Sequence, residues 1–186
     1  GIMGEAELLF KDILTKDPSE INGVVYRKDG EVLQNPHADW ITDLDSLPFP
    51  VYDDFDSVNI DGRIQKIENW PLVTSRGCPY TCTYCNVPMV IGRKFRTRSG
   101  KNILAELRYA QQKYGSKEFK VLDDNFTLKM ERAKDICNLF INEKLGMKWT
   151  CPNGIRADRL DAELCSLMKQ AGCNSMSIGV ESGDPE

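Results

Sequence analysis

Thr74-Ser75-Arg76-Gly77-Cys78-Pro79-Tyr80-Thr81-Cys82-Thr83-Tyr84-Cys85 follows a short extended apolar run that begins at Pro71. Its three thiols are separated by three and then two residues, with no fourth cysteine nearby. A structural zinc site or an ordinary ferredoxin cluster takes four protein ligands. Three thiolates instead suit a four-iron, four-sulfur cluster with one iron left open to an outside ligand. Thiolate is the soft donor that iron accepts, and Gly77 permits the turn by which one loop wraps a cube corner. Two plainer readings stand beside this one: a zinc site completed by a distant residue such as His37, and a turn with buried cysteines.

Working outward, the chain from Pro71 repeats strand, loop and helix. Pro71 to Ser75 is the first expected strand, and the cysteine loop follows it. Ile103, Leu104, Leu107, Ala110 and Tyr114 mark one helical face that ends at Gly115. Phe119 to Leu122 is the second strand, followed by a helix carrying Ala133, Ile136, Cys137, Phe140 and Ile141. Lys148 to Cys151 is the third, and Leu160, Leu164, Leu167, Met168 and Ala171 form the next stripe, closed by Gly172. Ser175 to Val180 is the fourth strand. Alternating units of this kind are βα repeats with parallel strands and right-handed crossovers. Upstream, Gly4-Glu5-Ala6-Glu7 with Leu8, Leu9, Ile13 and Leu14 reads as a short amphipathic helix. Ile21 to Tyr26, the Asp29-Gly30 turn and Glu31 to Leu33 read as a hairpin. The Asp- and Pro-rich stretch from Asn35 to Asn69 reads as a linker anchored by Leu44, Leu47, Phe49 and Tyr52.

The 186 residues are enough for one core, and the formal net charge is -4 with a single histidine. No Lys/Arg run is long enough to form a polyanion-binding tail, so nucleic acid is not an expected partner. No apolar stretch reaches the length of a membrane span, and no signal-like core is seen. Seven cysteines, three of them in one motif, fit a reducing cytoplasm better than a disulfide scaffold. Cys137, Cys151, Cys165 and Cys173 read as buried small apolar side chains.

The cysteine motif resembles that of the radical S-adenosylmethionine (SAM) superfamily, with an aromatic residue before the last cysteine. Within it, the chain is most similar to the branch that carries a cobalamin-binding domain ahead of the radical domain. The likeness includes Asp43-Leu44-Asp45-Ser46-Leu47-Pro48-Phe49-Pro50, Arg96-Thr97-Arg98-Ser99 and Val121-Leu122-Asp123-Asp124-Asn125-Phe126. It continues through Trp149 to Asp158 and Ala171-Gly172-Cys173 to Gly179-Val180-Glu181-Ser182-Gly183. The resemblance implies an α/β fold, a partial (βα)6 TIM-like barrel of which about four βα units are present. Residues 1–34 would be the end of a cobalamin-binding-type domain plus the hairpin, 35–70 a linker, and 71–186 the first part of the radical barrel. A barrel stopped after strand four would expose sheet edges through which the segment could self-associate.

The same resemblance assigns roles. Cys78, Cys82 and Cys85 would hold a [4Fe-4S] cluster whose open iron binds the amine and carboxylate of SAM. Reduction would then release methionine and a 5'-deoxyadenosyl radical, chemistry that belongs to the cofactor. The Tyr84 backbone would meet the adenine and its ring would pack beside the cluster. Asp124, in preference to Asp123, would hold the methionyl amine, although capping and turn formation explain acids in that loop equally well. Arg156 would pair with the methionyl carboxylate or with a strand-end acid, and Glu181 would meet the ribose or methionine part. Asp158 could equally be the N-cap of the helix near Leu160. Arg93, Arg96 and Arg98 would steady the cluster face or a domain contact, solvated charge being the plainer reading. Partners would be a small-molecule substrate and a reductant such as flavodoxin or ferredoxin. The Asp-x-His-x-x-Gly cobalamin signature is missing from this stretch, so cobalamin would belong to the full-length protein. A methylthiotransferase acting on tRNA or a ribosomal protein, and a non-catalytic iron–sulfur or interaction scaffold, are the alternatives.

Overall fold

Buried residues spaced two apart on three of its four strands build the core side of the central sheet. The computed structural model describes residues 1–53, 67–180 and 183. Among these, two compact units are formed by Gly1–Leu47 with Arg76–Thr97 and by Pro48–Ser75 with Arg98–Glu186.

The first unit contains a single-turn-and-a-half helix, α1 (Phe10–Thr15), and an antiparallel hairpin of β1 (Val25–Lys28) and β2 (Glu31–Gln34). The two-residue turn has positive φ at both Asp29 and Gly30, the conformation that matches the twist of the flanking strands. Ile21, Val24, Ile41 and Leu44 are its buried apolar residues. The expected amphipathic helix is shorter than its sequence pattern and buries none of its residues. Leu8, Phe10 and Leu14 are exposed, and Glu5 and Glu7 lie ahead of the helix with their carboxylates bonded to arginines.

The second unit carries four parallel strands in the order β3 (Asn69–Leu72), β4 (Glu118–Val121), β5 (Lys148–Ile155) and β6 (Cys173–Ile178). Helices α2 (Gly100–Tyr114), α3 (Met130–Asn142) and α4 (Ala162–Gln170) follow β3, β4 and β5 in the chain. The α/β class and the four parallel strands match the sequence reading. Strand limits shift: the first strand starts at Asn69 and ends at Leu72, and the third runs on to Ile155 through an irregular register. The fourth begins at Cys173, directly after Gly172, whose φ is +96°. A Cβ at Gly172 would lie 2.4 Å from the Met147 carbonyl oxygen, so only glycine fits this turn.

Trp70 and Leu72, Phe119 and Val121, and Trp149 and Cys151 are the buried residues of successive strands, each pair two apart. Phe119 and Trp149 stack with ring centroids 5.7 Å apart. Ile103, Leu107 and Ala110 of α2, Ile136 and Phe140 of α3, and Leu164 and Met168 of α4 complete this core. Ser99 caps α2 and Asp161 caps α4 by accepting from Asn102 N–H and Leu164 N–H. Asp158 is therefore not the cap, since the helix starts at Ala162 and the Asp158 carboxylate bonds to Arg156. Lys134 of α3 meets Asp161 at 2.9 Å and Glu163 at 2.5 Å, tying α3 to the start of α4. Phe49 and Tyr52 are half-buried, with Tyr52 edge-on to Trp70. No helix among the described residues is long and apolar enough to cross a membrane.

Leu107→Ala removes a fully buried side chain and should cost about 3 kcal/mol of stability in urea unfolding, whereas exposed Leu14→Ala should change it by less than about 0.5 kcal/mol. Equal effects would contradict this assignment of the core.

Candidate functional site

The cysteine loop closes on itself in the first unit. Cys78 N–H donates to the Gly92 carbonyl at 3.2 Å, bringing the start of the motif against the segment that follows it. Gly77 has φ +85°, and a Cβ there would lie 2.3 Å from the Lys94 carbonyl oxygen, closer than any side chain can stand. The Gly77 requirement read from sequence is thus a steric fact of this neck. Arg93 donates to the Tyr80 carbonyl at 2.9 Å. Arg96 is buried, donating to the Ile41 and Ile91 carbonyls at 2.6 Å and lying over the Trp40 ring. Solvated charge is therefore the wrong reading for Arg96, whose bonds to the Glu5 carboxylate and the Ile41 carbonyl are buried with it.

Within the loop, Cys78 is half-buried and Cys82 and Cys85 are exposed. Cys85 N–H donates to the Cys82 carbonyl at 3.2 Å, a local turn that holds the last two thiols on adjacent backbone. Tyr84, between the last two cysteines, is 71% exposed. Among the described residues, no three His, Cys, Asp or Glu side chains are gathered closely enough to hold a metal ion. What fits an iron–sulfur cluster is the donor set: three thiols on one loop, tethered at its neck, with two of them open to solvent. His37 stands against Trp40, its Nδ1 donating to the Ala38 carbonyl.

In the second unit the strand ends carry a separate polar network. Asp123 is buried and accepts from Thr74 N–H at 2.6 Å and from the Thr74 and Ser75 hydroxyls at 2.5 Å. The Thr74 carbonyl accepts from Arg98 N–H at 3.0 Å and Arg132 Nη2 at 2.7 Å. Thr74 and Ser75, the residues just ahead of the cysteine motif, are thus held at every polar group that Asp123 and Arg132 reach. Arg98 also pairs with buried Glu106 of α2 and donates to the Val73 carbonyl, so it too is not solvated charge. Burial pushes the Asp123 carboxyl above the usual aspartate range; its hydrogen bonds and the Arg132 charge offset only part of this. Among the described residues, three buried polar atoms lack a hydrogen-bond partner: Asn125 Oδ1, Thr127 Oγ1 and Arg132 Nη1. All three belong to the segment after β4 and the first turn of α3.

Asp124 is half-buried, and burial followed by the Asp123 charge raises its pKa. Arg156 is exposed and forks onto Asp158, Nε to Oδ1 at 2.9 Å and Nη2 to Oδ2 at 3.1 Å. Glu181 lies outside the described residues. Cys137 and Cys151 are buried as expected, burial pushing the Cys137 thiol up to about 12 and the Cys151 thiol higher still. Cys165 is exposed and Cys173 half-buried, because Cys165 falls on the outer side of α4.

Sequence reasoning passed over Asp123 as the lesser of two acids and gave Glu5 only to a helix start. Asp123 had a readable signal: it continues the Phe119–Val121 alternation and so falls on the buried side. Asn153, which donates to the Leu122 carbonyl at 2.7 Å and joins the ends of β5 and β4, had none.

The sequence model of the Radical SAM superfamily matches residues 72–186. The chain belongs to the radical SAM superfamily. An uncharacterized methyltransferase of Pyrococcus horikoshii is 32% identical over 99% of this chain, and the chain spans 40% of that relative's length. The structure of the radical SAM methyltransferase TsrM from Kitasatospora setae, with tryptophan substrate and a SAM analogue bound, superposes with a TM-score of 0.77. The match is 16% identical and covers 100% of this chain and 38% of that one, which shows the shared fold. The cobalamin-dependent SAM radical enzyme OxsB, with aqua-cobalamin and SAM bound, gives a TM-score of 0.74 at 25% identity. There the chain is covered over 97%, against 27% of OxsB.

Between the ordinary aspartate pKa and the raised value of Asp123, the unfolded chain has released a proton that the folded protein keeps. This group's contribution to stability therefore falls as pH rises across that interval. Asp123→Asn should flatten the decline when unfolding free energies are measured across it, and parallel curves for the two proteins would contradict the assignment.

Proposed function

We propose that the full-length protein is a radical SAM iron–sulfur enzyme of the cobalamin-associated branch, a methyltransferase or cyclase acting on a small molecule. The observation that carries this is a three-thiol loop, closed at a glycine neck, in a chain whose likeness to an uncharacterized methyltransferase extends over 99% of its length. That likeness takes in the N-terminal residues as well as the radical SAM region at 72–186.

In this reading Cys78, Cys82 and Cys85 hold a [4Fe-4S] cluster, and SAM completes it at the fourth iron. Bound together, cluster and SAM supply one-electron cleavage of the sulfonium C–S bond, giving a carbon radical able to attack an inert C–H bond. The chain's own residues supply position and charge. Asp124 faces the methionyl amine, and a bound ammonium would draw its raised pKa back down. Arg156 would pair with the methionyl carboxylate or with a strand-end acid. Tyr84 would offer its backbone to the adenine, and Glu181 would meet the ribose or methionine part. The unpartnered atoms of Asn125 and Thr127 support a polar ligand at the end of β4.

The four parallel strands are read as the first units of a partial (βα)6 barrel covering 71–186. Residues 1–34 are read as the end of a cobalamin-binding-type domain with its hairpin, and 35–70 as the connection. Cobalamin belongs to the full-length protein, a flavodoxin or ferredoxin supplies the electron, and the compartment is the reducing cytoplasm. Taken alone, this segment would self-associate along the open edge of β6, where Ile178 is 45% exposed.

Anaerobic reconstitution of the full-length protein, followed by dithionite reduction with SAM, should yield 5'-deoxyadenosine. Cys82→Ala should lower that yield at least a hundredfold, and equal yields from the two proteins would end the radical assignment.

A further inference from the structure

The acidic pair in Gly4-Glu5-Ala6-Glu7 has no part in the chemistry above, yet it meets both stems of the cysteine loop. Glu5 has a side chain only 2% exposed, and it accepts from Arg76 Nη1 at 2.8 Å, Arg96 Nη1 at 2.6 Å and Ile41 N–H at 2.8 Å. Arg76 immediately precedes Gly77-Cys78, and Arg96 lies two residues beyond Lys94, whose carbonyl presses on Gly77. Arg76 also donates to Glu7 at 2.5 Å. One carboxylate, 71 and 91 residues away in sequence, thereby joins the stem that enters the motif to the stem that leaves it. Burial would raise the Glu5 pKa, but the bonds from Arg96, Arg76 and Ile41 outweigh it and hold the carboxyl below its usual range.

We infer that Glu5 is a positioning residue for the iron–sulfur loop, fixing both stems of the cysteine motif and setting the charge beside it. The inference rests on the cluster reading of Cys78, Cys82 and Cys85. A guanidinium buried as deeply as Arg96 cannot lose its carboxylate without being left uncompensated. Two arginines face two glutamates at the neck, so the local charge is balanced. A thiolate-held cluster is anionic, and its potential depends on neighbouring charge and hydrogen bonds. Removing a negative charge here makes reduction easier, and removing a positive charge makes it harder.

The test uses the full-length protein, reconstituted anaerobically, with iron and sulfide counted after gel filtration and the midpoint potential read by EPR-monitored titration. Glu5→Gln should retain several-fold less iron, and the cluster it keeps should have a higher potential than wild type. Arg76→Gln should shift the potential the opposite way. Lys134→Met, which removes an ion-pair hub elsewhere, should lower the melting temperature and leave the potential unchanged. Shifts of the same sign in Glu5→Gln and Arg76→Gln, or no shift in either, would overturn the inference. Should Glu5→Gln not fold, Arg76→Gln decides alone, and an unchanged or raised potential there overturns it. Wild-type protein that takes up no iron would overturn the cluster reading itself, and this inference with it.

Discussion

Both stems of the cysteine loop are held by buried carboxylates. Thr74 and Ser75, ahead of the motif, give two hydroxyls and an N–H to Asp123. Arg76, one residue on, and Arg96 beyond the loop both give guanidinium protons to Glu5. Buried charges are costly unless every lone pair and proton finds a partner, so each of these acids enforces one arrangement of its donors. The glycine neck at Gly77 works in the same direction, since Lys94 leaves no room for a side chain.

These constraints explain why the loop is ordered by its surroundings more than by its own sequence. Between the stems it has only a single helical turn, Val87–Val90, and local backbone bonds such as Cys85 to Cys82. Its thiols are open to solvent at Cys82 and Cys85. The sheet beneath Thr74 is by contrast a conventional parallel core, with Trp70, Phe119 and Trp149 setting its thickness.

Much of this was legible from residues alone, for identifiable reasons. Helical stripes at Ile103–Leu107–Ala110 and Leu164–Met168 follow a period that burial enforces, and both faces are buried where expected. Glycine ends such as Gly115, with φ +67°, follow from the left-handed conformation itself. What escaped reading were long-range polar pairings. The pattern of Leu8, Ile13 and Leu14 suggests a buried face, but nothing local reveals that Glu5 bonds to Arg76 and Arg96. Asp158 was read as a cap because it precedes an apolar stripe, and Asp161, three residues on, takes that place instead. Arg96 looked like surface charge until Ile41, Ile91 and Glu5 closed around it.

Membership of the radical SAM superfamily and the three-thiol loop converge on one physical claim, a cluster with three protein bonds and one site kept for SAM. EPR of the reduced, anaerobically purified full-length protein, recorded before and after adding SAM, addresses it most directly. Four irons per chain and a spectrum altered by SAM are the predicted result. A cluster bound by four protein donors, or a spectrum indifferent to SAM, would contradict the account.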